Sequence, residues 1–366
     1  MKFPILKSLT VLLVMAGISV SGQIPGGYYD PATGLSGSSL KAALHNIIDG
    51  HTELSYSAVT EALKVTDQDT LNSSNIICFY TGWSYPKTAF GNLYNQWNRE
   101  HVWSKSHGDF GDNPPEGTDL HHMRPCDASV NSAKGNRDFS KGTTPYFDDG
   151  MPTGCFTAPY TWEPRDSDKG DVARALFYMA VRYEGDNGET NLELVSYVNS
   201  SPDYQPLYGN LDTLIKWHNE DPVNDWERDR NDIVYYQYQA NRNPFVDHPE
   251  YVDLIWGEEP VSHASAFSAN DITLNWTEPT EGILPDGYLV RKSTVGFDDI
   301  AIPADGVAVP NDPDNKNILY GTGQCVFKGA VPGTTCYFKI FPYKGAEESI
   351  NYKTDGTIQQ ISIQIN

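Results

Sequence analysis

The chain has 366 residues, more than one typical domain, and its length predicts about two domains. Hydrophobic residues make up 39% and aromatic residues 12%, which is enough to build a core and argues against intrinsic disorder. The 24 prolines and 31 glycines argue against a coiled coil or an all-helical bundle, because both residues interrupt long helices. A net charge of −22 at pH 7 argues, taken alone, against nucleic-acid binding.

The N-terminus has the layout of a secretory signal peptide over residues 1–22. Lys2 and Lys7 precede an apolar run over residues 9–20, and small residues follow that run. The run is too short to anchor the chain in a bilayer, and no later segment is long and apolar enough to cross one. We therefore expect a secreted protein, extracellular or periplasmic, without a membrane span, whose mature chain starts near Gln23. No protein partner is implied.

The first predicted elements are a helix and a strand, followed by a segment rich in loops. Apolar residues at helical spacing over 40–48 predict an amphipathic helix, with Ser39 as its N-cap and Gly50 as its stop. The apolar run Asn75–Tyr80 predicts a buried strand. The segment Trp97–Phe139 is dense in His, Asn, Asp, Gly and Pro, which predicts loops and short elements. Binding and catalytic residues concentrate in such segments.

The predicted elements change from helices to strands in the last third of the chain. Residues 168–183 predict a helix, with Asp171 favourably placed near its N-terminus, and residues 232–239 predict an aromatic-rich helix. Alternating polar and apolar residues then predict short strands. We expect an α+β domain over residues 23–257 with many helices and loops. Residues 261–366 resemble an all-β, immunoglobulin-like or fibronectin type III-like sandwich in the segments DITLNWTEP, GYLVRKS and PGTTCYFKIFPY.

Three residues of the loop-rich segment form the pattern of a site for a hard divalent cation. Glu100 offers a carboxylate oxygen, Asn131 an amide oxygen, and His101 a neutral imidazole that can deprotonate water. Because adjacent strand residues point to opposite faces, Glu100 and His101 share a site only at a bulge, a strand end or a turn. Asp127 is expected to cap the short helix that carries Asn131. Two protein oxygens with several waters suit Mg²⁺, with Mn²⁺ or Ca²⁺ as substitutes.

The segment resembles the secreted endonuclease I family of His-Me finger, or ββα-metal, nucleases. The resemblance covers most of residues 39–257 and rests on separate blocks in the same order: WNREHVW, DLHHMRP followed by SVNSAKGN, KGDVARALFYMAVRY and NRNPFVDHPEYV. It implies a ββα-metal finger in which Glu100 and Asn131 bind the metal and His101 is the general base. Within Trp97–Phe139, five basic residues face seven acidic ones, so a divalent cation would bring the segment to neutrality.

The resemblance implies a metal-dependent endonuclease that hydrolyses phosphodiester bonds and leaves 5′-phosphate and 3′-hydroxyl ends. Arg124 is expected to be a further catalytic residue that stabilises charge on the phosphate, whereas Lys134 and Arg137 are expected to contact the nucleic-acid backbone. Because water is the nucleophile rather than the ribose 2′-hydroxyl, DNA and RNA are both expected substrates. Backbone contacts carry no sequence information directly, so little sequence specificity is expected.

Other chemistries remain open. A zinc site of His101, His121 and His122 would make the protein a phosphohydrolase of small esters, but adjacent histidines diverge on a regular backbone and no HExxH spacing is present. At least one of His121 and His122 is expected instead to orient active-site groups or to pack beneath them. An exported, non-catalytic polymer-binding or adhesion protein with a degenerate nuclease domain is the alternative from another class.

Two structural predictions concern the same region. Five cysteines cannot all pair within one chain, and a disulfide between Cys126 and Cys155 is expected to clamp the finger. Arg242, Asp247 and His248, from the block NRNPFVDHPEY, are expected to form a polar network that closes the domain rather than a catalytic site.

Overall fold

The computed structural model describes residues 24–198, 204–257, 265–270, 273–280, 282–329 and 331–365. The predicted signal peptide, residues 1–22, lies outside the described residues. The chain is a mixed α+β protein, as the sequence predicts. In the part of the chain that the structure describes, no helix is both long and apolar enough to cross a membrane.

The α-helices lie in the first two thirds of the described chain. They are α1 (Gly37–Ile48), α2 (Tyr56–Thr66), α3 (Ala128–Lys134), α4 (Lys169–Arg182), α5 (Leu211–Glu220), α6 (Asp225–Ile233), α7 (Pro244–Asp247) and α8 (Tyr251–Trp256), and a π-helical turn, Val234–Gln239, continues α6. Helix α4 is the centre of this region, since every residue from Gly170 to Arg182 is buried. A Cβ atom at Gly170 would lie 2.0 Å from the carbonyl oxygen of Asp221, so only glycine lets the end of α5 approach α4 this closely.

Short strands surround these helices. They are β1 (Asn75–Ile77), β2 (Ser84–Pro86), β3 (Trp97–His101), β4 (Met123–Asp127), β5 (Asp138–Phe139), β6 (Thr144–Asp148), β7 (Met151–Thr157), β8 (Thr161–Glu163), β9 (Glu193–Val195) and β10 (Leu207–Gly209). β1 pairs with β2, β3 with β4 and β9 with β10, while the four-stranded sheet has the order β5-β8-β7-β6. The strands thus form small separate sheets.

The ends of two helices differ from the prediction. Helix α1 begins at Gly37 after Ser36, which is extended, so Ser39 lies inside the helix and is not its N-cap. The helix predicted over 232–239 is longer at its N-terminal side, because α6 already begins at Asp225 after a capping box formed by Asn224 and Glu227. The sequence DWERDRNDI carries few apolar residues, so hydrophobic periodicity did not reveal α6.

The last third of the described chain forms two antiparallel sheets. Its strands are β11 (Ser265–Asn270), β12 (Thr273–Thr277), β13 (Gly287–Ser293), β14 (Asn315–Leu319), β15 (Gln324–Val326), β16 (Thr335–Lys344), β17 (Asn351–Tyr352) and β18 (Gln359–Gln364). One sheet has the order β11-β12-β15, and the other has the order β14-β13-β16, with β17 and β18 both pairing with β16. Both sheets contribute to one apolar core, in which Leu274 and Trp276 meet Val290, Phe338 and Ile340.

The predicted disulfide is wrong. Cys126 and Cys155 are buried as free thiols, and the other cysteines are also free. Each thiol has its own backbone acceptor: the Sγ atom of Cys126 lies 3.6 Å from the carbonyl oxygen of Phe79, and that of Cys155 lies 3.3 Å from the carbonyl oxygen of Tyr80. Burial raises the pKa of both thiols, which keeps them protonated.

Arg242 and Asp247 form part of the expected polar network. Nε and Nη2 of Arg242 both donate to the carboxylate of Asp247, and Nη1 lies 2.8 Å from the carboxylate of Asp232. Tyr29, near the start of the described chain, donates its hydroxyl to Asp247. His248 bonds to Glu250 instead. This network ties the start of the described chain to the segment before α8.

Candidate active site

Two strands and a helix place the predicted residues together. β3 pairs with β4 in antiparallel register, with Glu100 opposite Arg124, and α3 follows β4 directly. Asp127, the last residue of β4, accepts hydrogen bonds from the backbone nitrogens of Ser129 and Val130. The predicted helix cap is therefore confirmed, and it satisfies two backbone donors in the first turn of α3.

One cleft contains the three residues predicted to form the metal site. Glu100, His101 and Asn131 all line a cavity of about 310 Å³ that is open to solvent. His101 is the last residue of β3. In a regular strand, adjacent side chains point to opposite faces, so His101 would point away from Glu100. Because β3 ends at His101, the two side chains can share the cleft, and a strand end is one of the three arrangements that the sequence analysis allowed.

Glu100 is buried at the base of the cleft and is held by two donors. The hydroxyl of Tyr80 donates to Oε1 at 2.8 Å, and Nζ of Lys134 lies 3.1 Å from the same oxygen. Burial raises the pKa of Glu100 above its ordinary value, while the Lys134 charge and the Tyr80 hydrogen bond act in the opposite direction. Both neighbours stabilise the ionised form of the carboxyl group, and both bind the same oxygen.

His101 is held in one orientation by a backbone carbonyl. Its Nε2 lies 3.0 Å from the carbonyl oxygen of Gly117, which can only accept a hydrogen bond, so Nε2 carries the hydrogen and Nδ1 carries the lone pair. Burial lowers the pKa of His101 well below its ordinary value, and the neighbouring His122 lowers it further. The ring of Tyr56 stacks on the imidazole at 5.9 Å between centroids. His101 is therefore a neutral imidazole at neutral pH.

The side chain of Asn131 is also fixed. Its Nδ2 donates to Oδ1 of Asn98 at 2.8 Å and to the carbonyl oxygen of Arg99 at 3.1 Å. Both acceptors belong to β3, so the amide group bridges α3 to the strand that carries Glu100. Because the nitrogen points to the strand, the amide oxygen points away from it.

A single turn supports both histidines of the cleft region. The carbonyl of Glu116 accepts from Nε2 of His122 at 2.8 Å, and the next carbonyl, that of Gly117, holds His101. The carboxylate of Glu116 accepts from the backbone nitrogen of Thr190 at 2.8 Å. Burial lowers the pKa of His122 to about 4, so this ring is neutral too. The His122 ring packs beside the His101 ring, with 5.5 Å between the ring centroids.

Lys134 does not lie where a contact with nucleic acid was predicted. Its side chain is 0% exposed, and Nζ donates to Ser104 at 2.6 Å in addition to pairing with Glu100. Burial acts to lower the pKa of Lys134, but the charge of Glu100 together with the contacts to Tyr208 and Glu100 raises it. The prediction is corrected for this physical reason: the ammonium group neutralises a buried carboxylate and cannot reach a phosphate. Arg137 is half-buried, and its guanidinium donates to backbone carbonyls, including that of Ala158.

Arg124 also lies outside the cleft. It is buried, and its guanidinium pairs with Asp67 at 3.1 Å and with Asp171 at 3.4 Å. It lines a different cavity together with Arg174 and Arg230. Both carboxylates raise the pKa of Arg124 against the effect of burial, and burial raises the pKa of Asp171 to about 8. Arg124 therefore belongs to a buried ionic network, which gives it no direct path to a phosphate in the cleft.

The three histidines do not form a zinc site. His121 points to the carbonyl oxygen of Asn241 and packs against Tyr178, whereas His122 and His101 face the Glu116–Thr118 turn. Among the described residues, these histidines do not bring three ligand atoms together.

Sequence reasoning missed three contributors to the cleft: Tyr80, Tyr56 and Arg99. The guanidinium of Arg99 lies 3.3 Å from the ring centroid of Tyr56 and donates to the carbonyl oxygen of that residue. Among the described residues, no carboxylate pairs with Arg99, although most other cations are paired. Its position next to Glu100 was an available signal. Tyr80 and Tyr56 gave none, because each looked like an ordinary aromatic residue of a core.

Comparisons with known proteins identify the family of the chain. The family model "Endonuclease I" matches residues 36–250. The chain is 53% identical over 229 residues to an "Extracellular ribonuclease" of Bacillus subtilis (strain 168), a match that covers 63% of this chain and 78% of the relative. It is 52% identical over the same length, with the same coverage, to an "Extracellular ribonuclease" of Bacillus amyloliquefaciens. The predicted family is therefore confirmed, and the chain belongs to the endonuclease I family.

Proposed function

We propose that this protein is an exported, divalent-metal-dependent endonuclease that hydrolyses phosphodiester bonds of RNA and DNA with little sequence specificity. One observation carries the proposal. A carboxylate, an amide oxygen and a neutral imidazole, from Glu100, Asn131 and His101, line the same solvent-open cleft and are each fixed by hydrogen bonds. The names of the relatives support an extracellular nuclease that acts on RNA.

The donor atoms fit a magnesium ion. Tyr80 and Lys134 both bind Oε1 of Glu100, which leaves Oε2 for a cation, and the amide oxygen of Asn131 is turned away from β3. Two protein oxygens in an open cleft leave room for several waters and a substrate phosphate, as Mg²⁺ prefers, with Mn²⁺ or Ca²⁺ as substitutes. When bound, the ion would neutralise charge that develops on the phosphate and on the leaving 3′-oxygen.

His101 is the general base of the proposed reaction. Because Nε2–H is donated to Gly117, the lone pair of Nδ1 is the atom that takes a proton from water. The oxygen of that water then bonds to phosphorus while the bond to the 3′-oxygen breaks. The leaving 3′-oxygen takes a proton from solvent, and His101 returns its proton to solvent. The products carry 5′-phosphate and 3′-hydroxyl ends. No step uses the ribose 2′-hydroxyl, so RNA and DNA are both substrates.

The proposal also includes the fold of the site, the domain boundaries and the signal peptide predicted from the sequence. We assign the ββα-metal finger to β3, β4 and α3, and the catalytic domain to residues 23–257 after removal of residues 1–22 as a signal peptide. Residues 261–366 form an accessory sandwich like a fibronectin type III domain, a reading that the shared core of its two sheets supports.

The experiment is cleavage of plasmid DNA and of a structured RNA by the purified protein, with Mg²⁺ or with a chelator. The wild-type chain is expected to cut both substrates only with the metal, and the Glu100→Gln and His101→Ala variants are expected to lose cleavage. A matched control, His248→Ala, replaces a histidine outside the cleft and should cut normally. A folded wild-type chain that cuts neither substrate with any of several divalent metals would contradict the proposal and favour a non-catalytic binding protein.

A further inference from the structure

Away from the cleft, a histidine and two aspartates meet between α1 and the loop that follows α4. His45 lies in the last turn of α1, Asp49 follows that helix, and Asp186 lies in the loop. One ligand atom from each of these residues lies within 4.8 Å of the others. We propose that these three side chains bind a divalent transition-metal ion, with Zn²⁺ as the ion that best fits.

The hydrogen bonds of His45 indicate a positive charge between its Nε2 and the carboxylate of Asp186. Nδ1 lies 3.0 Å from the carbonyl oxygen of Val181, so Nδ1 carries a hydrogen. A neutral imidazole then presents a lone pair at Nε2, which lies only 3.3 Å from Oδ2 of Asp186. Two acceptors at this distance repel each other unless a positive charge joins them. That charge is either a second proton on the ring or a metal ion.

The surrounding charges favour the metal ion over the proton. The guanidinium of Arg182 bonds to Asp49 at 3.0 Å and to both oxygens of Glu189. Two carboxylates thus share one guanidinium, and Asp186, which contacts His45, brings the net charge of these four groups to −2. The nearby Lys41 is already paired with Glu184, at 2.6 Å. A proton on the imidazole would cancel half of this charge, whereas a divalent cation would cancel all of it.

The donor set selects the class of metal. One imidazole nitrogen and two carboxylate oxygens give three protein ligands, and a water completes the tetrahedron that Zn²⁺ prefers. Ca²⁺ and Mg²⁺ favour sites made of oxygen alone. A histidine that ligates a metal usually donates its other ring hydrogen to a carbonyl or a carboxylate, as His45 does to Val181. The side chain of His45 is 12% exposed and that of Asp186 is 45% exposed, so an ion can enter from solvent.

A metal bound here would brace the loop that reaches the cleft. The loop runs from Asp186 to Thr190, whose backbone nitrogen donates to the carboxylate of Glu116. The next residue, Gly117, holds His101 through its carbonyl. The site is therefore a structural one that stabilises the support of His101. Only this last consequence rests on the proposed function, because metal binding itself is measured without nucleic acid.

The test is a Zn²⁺ titration of the full chain, freed of metal by chelation and dialysed against excess Mg²⁺, with bound metal counted after equilibrium dialysis. The wild-type chain is expected to bind one Zn²⁺ that His45→Gln and Asp186→Asn bind about tenfold more weakly or not at all. Two control variants should keep that ion: Lys41→Gln, on the same surface, and Glu100→Gln, in the cleft. Zn²⁺ should also raise the Tm of the wild-type chain but not that of His45→Gln.

Three results would overturn the proposal. The wild-type and both ligand variants could bind the same amount of Zn²⁺, or Glu100→Gln alone could lose the ion, which would place it in the cleft. Alternatively, His45→Gln could lower Tm equally with and without Zn²⁺, as a proton shared between His45 and Asp186 would predict. Asp186→Asn serves as the second variant if His45→Gln does not fold, because Asp186 is the more exposed of the two.

Discussion

Replacing Lys134 with methionine would leave the carboxylate of Glu100 buried without its ammonium partner. The side chains are 0% and 4% exposed, so solvent screens the lost charge only weakly. Removing one partner of a buried ion pair costs about 3–5 kcal/mol, and methionine, of similar length, adds little cost from an empty cavity. We therefore expect Lys134→Met to lower the free energy of unfolding by about 3–5 kcal/mol at neutral pH.

The cost should depend on pH in a defined direction. Burial raises the pKa of Glu100 in the folded state, and loss of Lys134 raises it further. A carboxyl group whose folded pKa exceeds its unfolded pKa destabilises the fold as the pH rises through that interval. The cost of Lys134→Met is thus small in acid, where Glu100 is protonated, and full at neutral pH. Mg²⁺ should restore more stability to the variant than to the wild type, since a cation can replace the ammonium group.

The assay is equilibrium unfolding in denaturant at about pH 5 and about pH 8, with and without Mg²⁺. Lys105→Met is the matched control, because Lys105 also lines the cleft but is 41% exposed and pairs with Asp112 at the surface. Its cost should stay below about 1 kcal/mol. If Lys134→Met were as stable as the control and only raised KM for nucleic acid, the reasoning would be refuted, and Lys134 would be a substrate contact.

Three further predictions concern the cleft and the thiols. Because burial lowers the pKa of His101 well below its ordinary value, kcat should stay constant as the pH falls past the ordinary imidazole pKa of about 6.5, and an acid limb centred there would contradict a buried neutral base. Arg99→Gln should lower kcat/KM about tenfold or more and flatten its salt dependence, since Arg99 is a cation of the cleft without a carboxylate partner among the described residues; an unchanged salt slope would rule out a phosphate contact. Titration of thiols in denaturant without reductant should find Cys126 and Cys155 both reactive, and two missing thiols would reveal a disulfide.

The sequence predicted the residues of the cleft better than their surroundings. Glu100 and His101 are adjacent in one strand, and Asp127 was identified as a cap from the short helix that follows it and carries Asn131. Each of these two blocks is local, and the resemblance to the endonuclease I family joined them into one site. Such local patterns can be read without knowing what packs against them.

Lys134 and Arg124 were misjudged because their roles depend on distant residues. A lysine at the end of a short helix normally lies in solvent, but Phe139 and Tyr208 cover Lys134, with ring centroids 4.9 and 5.7 Å from Nζ. Arg124 follows the histidine pair as a phosphate-binding residue would, yet Asp67, far earlier in the chain, pairs with it. Burial of a charge is decided by tertiary packing, which no local pattern contains.

In the proposed reaction, a water activated by His101 attacks phosphorus and becomes part of the new 5′-phosphate. The most direct measurement is mass spectrometry of the fragments from one RNA and one DNA cleaved in H₂¹⁸O with Mg²⁺. We predict ¹⁸O in the 5′-phosphate and 3′-hydroxyl ends for both substrates, with no product from the His101→Ala variant. RNA fragments that end in a 2′,3′-cyclic phosphate or a 3′-phosphate, with DNA left intact, would contradict it, because the 2′-hydroxyl would then be the nucleophile.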